Sequence, residues 1–402
     1  MSGPAQAVRS PHIVTLVMAT ATGALAMNVF LPSLPTMARH FQADYAVAQL
    51  MVPLFLGATA FLQLLIGPAS DRFGRRPVML WCFLVFILAT LAAIYSPTIE
   101  FLLVCRVFQG FSAAGMVLSR AIVRDTVGPD EAASKLGYIV MGMALVPMIG
   151  PVIGGYFDEF FGWRSTFWLT LVYGIVATVV VYLDLNETNR QPSSNFISQF
   201  RAYPELLRSR RFWAYTLTAA FTSGAFFAFL GGGPYISSEM LGLKPSQYGL
   251  YFMLISIGYM AGSFASGRLS ARIGINRMML TGNLVAMLGG IGSMACFAIG
   301  FWHPLALFGP ITLVGVGNGI TLPNANAGIV SVRPRLAGSA SGLGGAMQIG
   351  GGAALSVVSG ALLTSTSGPY PLLYVMILSS VAAVVATLYG IHVDRRAGPL
   401  AD

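Results

Sequence analysis

A ten-residue run, GPASDRFGRR from Gly67 to Arg76, returns in weaker form as GRLSARIGIN from Gly267 to Asn276. The offset is 200 residues, half of the 402-residue chain. Gly67, Arg72 and Gly74 meet Gly267, Arg272 and Gly274 in register, whereas Asp71 meets Ala271. Each copy is a short charged stretch between long apolar segments. A chain that repeats such a unit at its midpoint is built from two similar halves, and its apolar segments decide what medium they occupy.

Hydrophobic residues make up 55% of the sequence and charged ones 9%, against about 25% charged in soluble globular proteins. So many apolar side chains cannot all be hidden in one core of this size; they must face lipid. Apolar spans of about 20 residues start near His12, Tyr45, Pro77, Ile99, Ser134 and Trp163, and then near Phe212, Ser246, Arg277, Pro304, Ala337 and Tyr370. This predicts an all-α polytopic membrane protein with twelve transmembrane helices in two pseudo-symmetric six-helix bundles. The bundles comprise residues 1–187 and 212–402, with a cytoplasmic linker at 188–211. The linker opens on the polar run NETNRQPSSN and ends Arg-rich, which suits a short amphipathic piece on the inner leaflet. Internal repeats of this kind are the architecture of secondary transporters. The first stretch, His12 to Pro32, is too long for a signal-peptide core and is read as a membrane helix.

The net charge of +9 is a matter of topology. Nineteen basic residues fall on one set of loops and tails: Arg9, Arg72, Arg75, Arg76, Arg120, Arg124, Lys135, Arg190, Arg201, Arg208, Arg210, Arg211, Arg268, Arg272, Arg277, Arg333, Arg335, Arg395 and Arg396. The opposite loops carry three, Arg39, Arg164 and Lys244. That asymmetry predicts that both termini and the linker are cytoplasmic. The basic surplus then faces lipid headgroups and leaves no nucleic-acid footprint. Cys82, Cys105 and Cys296 lie in apolar segments and suggest neither disulfides nor a metal site. The four histidines are far apart, so neither a metal nor a cofactor is expected.

Within the repeated run, Asp71, Arg72, Arg75 and Arg76 lie inside six residues. Arginines there can anchor headgroups. Asp71 opposes the basic pattern and can pair with neighbouring arginines or with a helix end of the other half, a bond that works as a latch if one conformation breaks it. The Gly67-Pro68 step and Gly74 are expected to give a tight turn. In the fourth span, Arg106 lies about seven residues from the outer end. A charge there costs roughly 2.5–3.5 kcal/mol unless solvated or paired. Two readings are open: the arginine snorkels to the interface, or Arg106, Gln109 and Ala113 share a helical stripe and form a polar patch facing a cavity. In the fifth span, Pro147 and Pro151 alternate with Gly150 and Gly154 at spacing four, with Gly155 next, giving a bendable, closely packed helix. Gly258 and Gly262, with Gly342, Gly345, Gly350, Gly351 and Gly352, mark the expected seam between the halves.

The run Gly67-x-x-x-Asp71-Arg72-x-Gly74-Arg75-Arg76 resembles the signature loop of the major facilitator superfamily. The resemblance implies a loop that stabilises the outward-facing state through charge contacts between the halves. LLVCRVFQGFSAAG is similar to the superfamily's helix 4 motif, whose arginine is linked to proton transfer or substrate charge. Arg124-Asp125 resembles the pair ending this helix in drug exporters, which makes Asp125 a partner for Arg72 and Arg75. Gly150-Pro151-Val152-Ile153-Gly154-Gly155 resembles the motif of exporters as opposed to importers. With MNVFLPSLP, SRAIVRD, Gly162-Trp163-Arg164 and Glu187-Thr188, the chain is similar to the Bcr/CflA branch of twelve-helix drug:proton antiporters.

That likeness implies a multi-pass protein of the bacterial inner membrane; two repeats within one chain predict that it works as a monomer in the lipid bilayer. It would expel a small amphiphilic drug-like or metabolite substrate by rocker-switch alternating access, in exchange for protons. One departure matters: the branch carries an aspartate in helix 1 before its Leu-Pro pair, and here Asn28 cannot titrate. None of the fourteen acids lies near the middle of a span; Asp158 and Glu159 are read as outside, and Asp184 as the deepest. Asp71 and Asp125 are left as coupling candidates, with Arg106 as an electrostatic modulator. The alternative is an uncoupled facilitator, or an exporter of an endogenous metabolite. Spans 1, 4, 7 and 10 are expected to line the cavity with Met27, Asn28, Arg106, Gln109, Met116, Phe226, Phe227, Phe229, Asn318, Asn324 and Asn326. Such a pocket suits neutral or weakly anionic amphiphiles. No constellation of nucleophile, base or metal ligands suggests an enzyme.

Overall fold

The computed structural model describes residues 10–127, 129–189, 203–363 and 367–397. Both chain tails and linker residues 190–202, with Arg9, Arg190 and Arg201, lie outside the described residues. Long helices dominate: α1 (Ile13–His40), α2 (Tyr45–Phe73), α3 (Arg75–Ile94), α4 (Ile99–Thr126), α5 (Pro129–Phe161) and α6 (Arg164–Asp184). A short helix, Tyr203–Leu207, precedes α7 (Arg210–Met240), α8 (Pro245–Ile273), α9 (Ile275–Ala298), α10 (Pro304–Ser331), α11 (Ala337–Leu362) and α12 (Tyr370–Arg396). Eleven of the twelve long helices qualify as spans by length and hydropathy, and the 33-residue α5 completes the set. Many large apolar side chains point outward, among them Trp81, Leu88, Val172, Leu183 and Leu378. A helix apolar on all sides, with its backbone bonds satisfied internally, suits a hydrocarbon surround.

The charged run that reads as a loop is almost entirely helical. α2 continues through Asp71 and Arg72 to Phe73, and α3 begins at Arg75, so the whole connection is Gly74, at φ 98°. The expected turn at Gly67-Pro68 is therefore corrected: Pro68 lies inside α2. In a packed membrane helix, neighbours compensate the one backbone bond that proline removes. The second half repeats the device at Gly274, φ 89°, between α8 and α9. Both positions need a backbone that L side chains rarely adopt.

α1 is interrupted where its prolines fall. A helix ends at Asn28, a 3-10 turn covers Leu31–Ser33, and a second helix runs Leu34–His40. The first six helices pack mainly among themselves, as do the last six, and α5 against α8 and α2 against α11 join the two groups. His12, Gly74, Asp184, Gly274 and Asp394 lie at one face of the bundle, called here the terminal face.

Close helix crossings use glycine, though at partners the sequence does not reveal. A Cβ on Gly154 would strike the Val29 carbonyl of α1, and one on Gly155 the Pro245 carbonyl of α8. Gly345 and Gly350 of α11 face Gln63 and Ala60 of α2 across the seam, as expected. Gly258 and Gly262 do not: they face Thr312 and Val316 of α10, inside the second group. Gly351 and Gly352 likewise back onto Ala220 and Phe227 of α7. Spacing marks a close approach but not which helix approaches.

Candidate functional site

At the terminal face, Arg75 links two acids. Its Nη1 pairs with Asp71 Oδ1 at 2.5 Å, and its Nε with Asp125 Oδ2 at 3.0 Å. Bidentate use of one guanidinium fixes the ends of α2, α3 and α4 together. Arg72 instead lies over the Phe73 ring, and Arg76 donates to the Tyr182 carbonyl at 2.9 Å.

The end of the first half straps this site. The Glu187 carboxylate accepts the backbone N–H groups of Arg75 (2.9 Å) and Arg76 (3.1 Å), capping the α3 N-terminus. The same carboxylate fills the space a Gly74 side chain would need. Thr188 donates to Asp125 at 3.4 Å, and the Asn189 amide to the Asp71 carbonyl at 2.8 Å. So Thr188 and Asn189, the first residues of the expected linker, bond back to the first six helices. Nearby, Glu205 of the short helix meets Arg333 and Arg335, and the hydrogen bond from Arg335 holds its carboxyl below the ordinary range.

Two further acids at this face anchor helix starts. Asp184 accepts from the His12 backbone N–H (2.7 Å) and the Thr15 hydroxyl (2.6 Å), tying α1 to α6. Asp394 accepts from the Tyr215 hydroxyl (2.9 Å) and the Asn276 amide (2.6 Å), and pairs with Arg211 at 2.8 Å. Thr15 and Tyr215 are 200 residues apart, the same offset as the charged repeat. That signal could have found them.

Arg106 is 1% exposed, which removes the snorkelling reading. Its guanidinium donates to the carbonyls of Ala26 (3.1 Å) and Met51 (3.2 Å) and to Gln109 Oε1 (2.6 Å). Gln109 passes the chain on to the Thr90 hydroxyl at 2.9 Å. The rings of Phe30 and Phe55 lie 4.2 and 4.5 Å from the guanidinium carbon. Ala26 offers its carbonyl because the helix ends two residues later. Charged hydrogen bonds of about 1.5–3 kcal/mol each and cation–π contacts of about 2 kcal/mol outweigh the insertion cost. One nitrogen, Nη2, is buried without a partner.

The other expected cavity residues separate. Asn28 is buried and returns its amide to the Ala24 carbonyl, leaving Oδ1 unpartnered. Gly150 lies against its Cβ at 3.4 Å. Asn324 bonds Ser266 of α8 at 2.9 Å, a helix-packing contact. Asn318 is buried with both amide atoms unpartnered. Phe229 is enclosed by Phe252 and Phe308.

At the face opposite the termini, polar ties cross between the halves. Arg39 pairs with Glu239 at 2.7 Å, and the Tyr45 hydroxyl donates to the Gly231 carbonyl at 2.7 Å. Glu159 accepts from Lys244 at 3.2 Å and from the Ser246 hydroxyl. Gln49 reaches the Ser356 carbonyl at 3.5 Å and covers Gly360. The sequence reading missed this cluster, although Arg39 and Glu239 also stand 200 apart. The reading of Asp158 as outside fits its place near the α5 end opposite the termini, but its burial was not expected. Asp158 lies within α5, which continues to Phe161, and is buried beside Thr36.

The family model of the Major Facilitator Superfamily matches residues 16–355 and again 233–400. The chain belongs to the major facilitator superfamily. This major facilitator protein is a transporter, not an enzyme. It is 30% identical over 382 residues to the uncharacterized MFS-type transporter YdgK of Bacillus subtilis strain 168, covering 93% of both chains. To the bicyclomycin resistance protein homolog of Haemophilus influenzae it is 28% identical, covering 93% of this chain and 94% of the other. Such relatives place it in the Bcr/CflA branch, as the motifs imply. Among solved structures, a bacterial homologue of the human lysosomal transporter Spinster, inward-facing and unoccupied, superposes with a TM-score of 0.75. Identity there is 17%, with 95% of this chain and 96% of the other covered, a likeness of fold.

Proposed function

We propose that this major facilitator protein exports small amphiphilic, drug-like molecules across the bacterial inner membrane. Two bundles, residues 1–187 and 212–402 joined by 188–211, rock about a central site. The observation that carries this reading is the uneven distribution of polar ties. At the face opposite the termini they run between the halves, through Arg39–Glu239, Tyr45–Gly231 and Glu159–Lys244. At the terminal face, Arg75–Asp71, Arg75–Asp125 and Arg211–Asp394 run within a half. With nineteen basic residues against three, the terminal face is assigned to the cytoplasm. The molecule is then shut to the outside, ready to load from within, and neither face requires covalent chemistry.

Relatives named for bicyclomycin resistance support a drug-like cargo. In the opposite state the Asp71–Arg75–Asp125 group would meet the other half and latch the terminal face shut. Exchange for protons is the coupling proposed; Asn28, which cannot titrate, favours a second reading, an uncoupled facilitator. Everted vesicles decide between them. Addition of a transported phenicol should release a preformed proton gradient, and efflux without proton movement would leave the facilitator. If the chain confers no resistance on an efflux-deficient host across drug classes, the exporter reading fails.

A further inference from the structure

We propose that Asp158, with Ser33 and Thr36, forms a proton-binding site whose occupancy is linked to closure of the face opposite the termini. The proposal rests on the reading that this face opens and closes. Asp158 is the one buried acid among the described residues, at 5% exposure. The Thr36 hydroxyl donates to its Oδ2 at 2.9 Å, while Oδ1 is buried without a partner. Ser33 Oγ, fully buried, lies beside the same carboxyl without a well-formed hydrogen bond to it. The Ser33 hydroxyl can donate to a charged carboxylate or accept from a neutral carboxyl, so the site can hold Asp158 in either protonation state. A buried carboxylate with one empty oxygen is costly, and a neutral carboxyl far less so.

The register of α5 sets Asp158 behind the gate. It follows Gly154, which rides on α1, by one turn, whereas Glu159 follows Gly155, which rides on α8. Asp158 is therefore directed at the second segment of α1 and Glu159 at the α8 start. Thr36 lines a narrow crevice with Pro234, Ser237, Lys244 and Tyr248 of the other half. Parting the halves uncovers Thr36 and wets the carboxyl behind it. Closing the halves selects the protonated form, so protons supplied from outside favour closure. The charged groups around Asp158 are Arg39 on α1, Glu159 on its own helix, and across the seam Glu239 and Lys244, which pair with Arg39 and Glu159.

The test places spin labels at Glu100→Cys, at the start of α4, and Phe301→Cys, between α9 and α10, both at that face, in full-length protein in nanodiscs. In the otherwise unmutated protein the closed-to-open ratio should rise as pH falls, by up to about tenfold per pH unit, the limit for one linked proton. Asp158→Asn should stay closed at every pH, while Glu159→Gln keeps the response. Infrared spectra should contain a neutral-carboxyl band that Asp158→Asn lacks, a readout independent of gating. A pH response unchanged in Asp158→Asn, or the same infrared band in both proteins, overturns the site. A ratio that follows sodium at fixed pH, with no such band, overturns the proton in favour of an alkali cation. Distances fixed under all pH values and substrates, with the band present, would sink alternating access and keep the site.

Discussion

Arg106 holds its charge on backbone carbonyls and an amide, with no carboxylate among its hydrogen-bond acceptors. Its planar fork serves three acceptors while two aromatic rings lie against it, which a lysine ammonium cannot imitate. Arg106→Ala should abolish efflux and also cost about 3 kcal/mol of stability, read as a lowered unfolding midpoint of the purified protein. Arg106→Lys should recover little of either; full efflux in the lysine variant would return the arginine to a purely ionic role. The sequence made part of this legible. Arg106 and Gln109 share a helical stripe, and they do bond. The Ala26 and Met51 carbonyls were not, because main-chain acceptors leave no mark on side-chain pattern. The burial of Asp158 was not legible for a related reason. Glu159, two phenylalanines and a glycine follow it, and hydropathy could not tell whether the helix stopped before or after them.

In α5, three glycines on adjacent turns do three different jobs. Gly150 meets Asn28 Cβ at an ordinary 3.4 Å, Gly154 meets the α1 backbone, and Gly155 meets the backbone of the other half. Gly150→Ala should be tolerated. Gly154→Ala should force α1 and α5 apart and lower the thermal midpoint, since the obstacle is main chain. Gly155→Ala should leave the midpoint nearly unchanged and instead part the halves at the face opposite the termini, checked by the same inter-half distances. Equal behaviour of the two variants would mean that the seam is no weaker than the bundle interior. The exporter-like motif was readable from spacing, but the division of labour needed the helix rotations. The same limit misassigned Gly258 and Gly262, which are as regularly spaced yet serve a crossing inside the second half.

Across the whole molecule, one internal repeat explains contacts that look unrelated. Arg39 meets Glu239, its own counterpart 200 residues on, as expected for groups lying on the axis that relates two like halves. Thr15 and Tyr215 anchor the first helix of each half to an acid of its last. The ties between the halves at the face opposite the termini differ in weight. The Arg39–Glu239 pair is 60% and 42% exposed at its side chains, so Arg39→Gln should change the closed population by less than about 1 kcal/mol and mostly at low salt. The Tyr45 hydroxyl is buried, and Tyr45→Phe should shift it by about 1 kcal/mol regardless of salt, as measured by the same distances in both buffers. The fold class was legible because lipid forces long apolar runs. The Glu187–Asn189 strap was legible only as a motif, since its partners are helix ends. It has a practical sequel. Anyone producing the transporter as two co-expressed polypeptides should cut beyond Asn189, because a break just after Asp184 would strip the capping and amide bonds from three helix ends while removing no transmembrane residue.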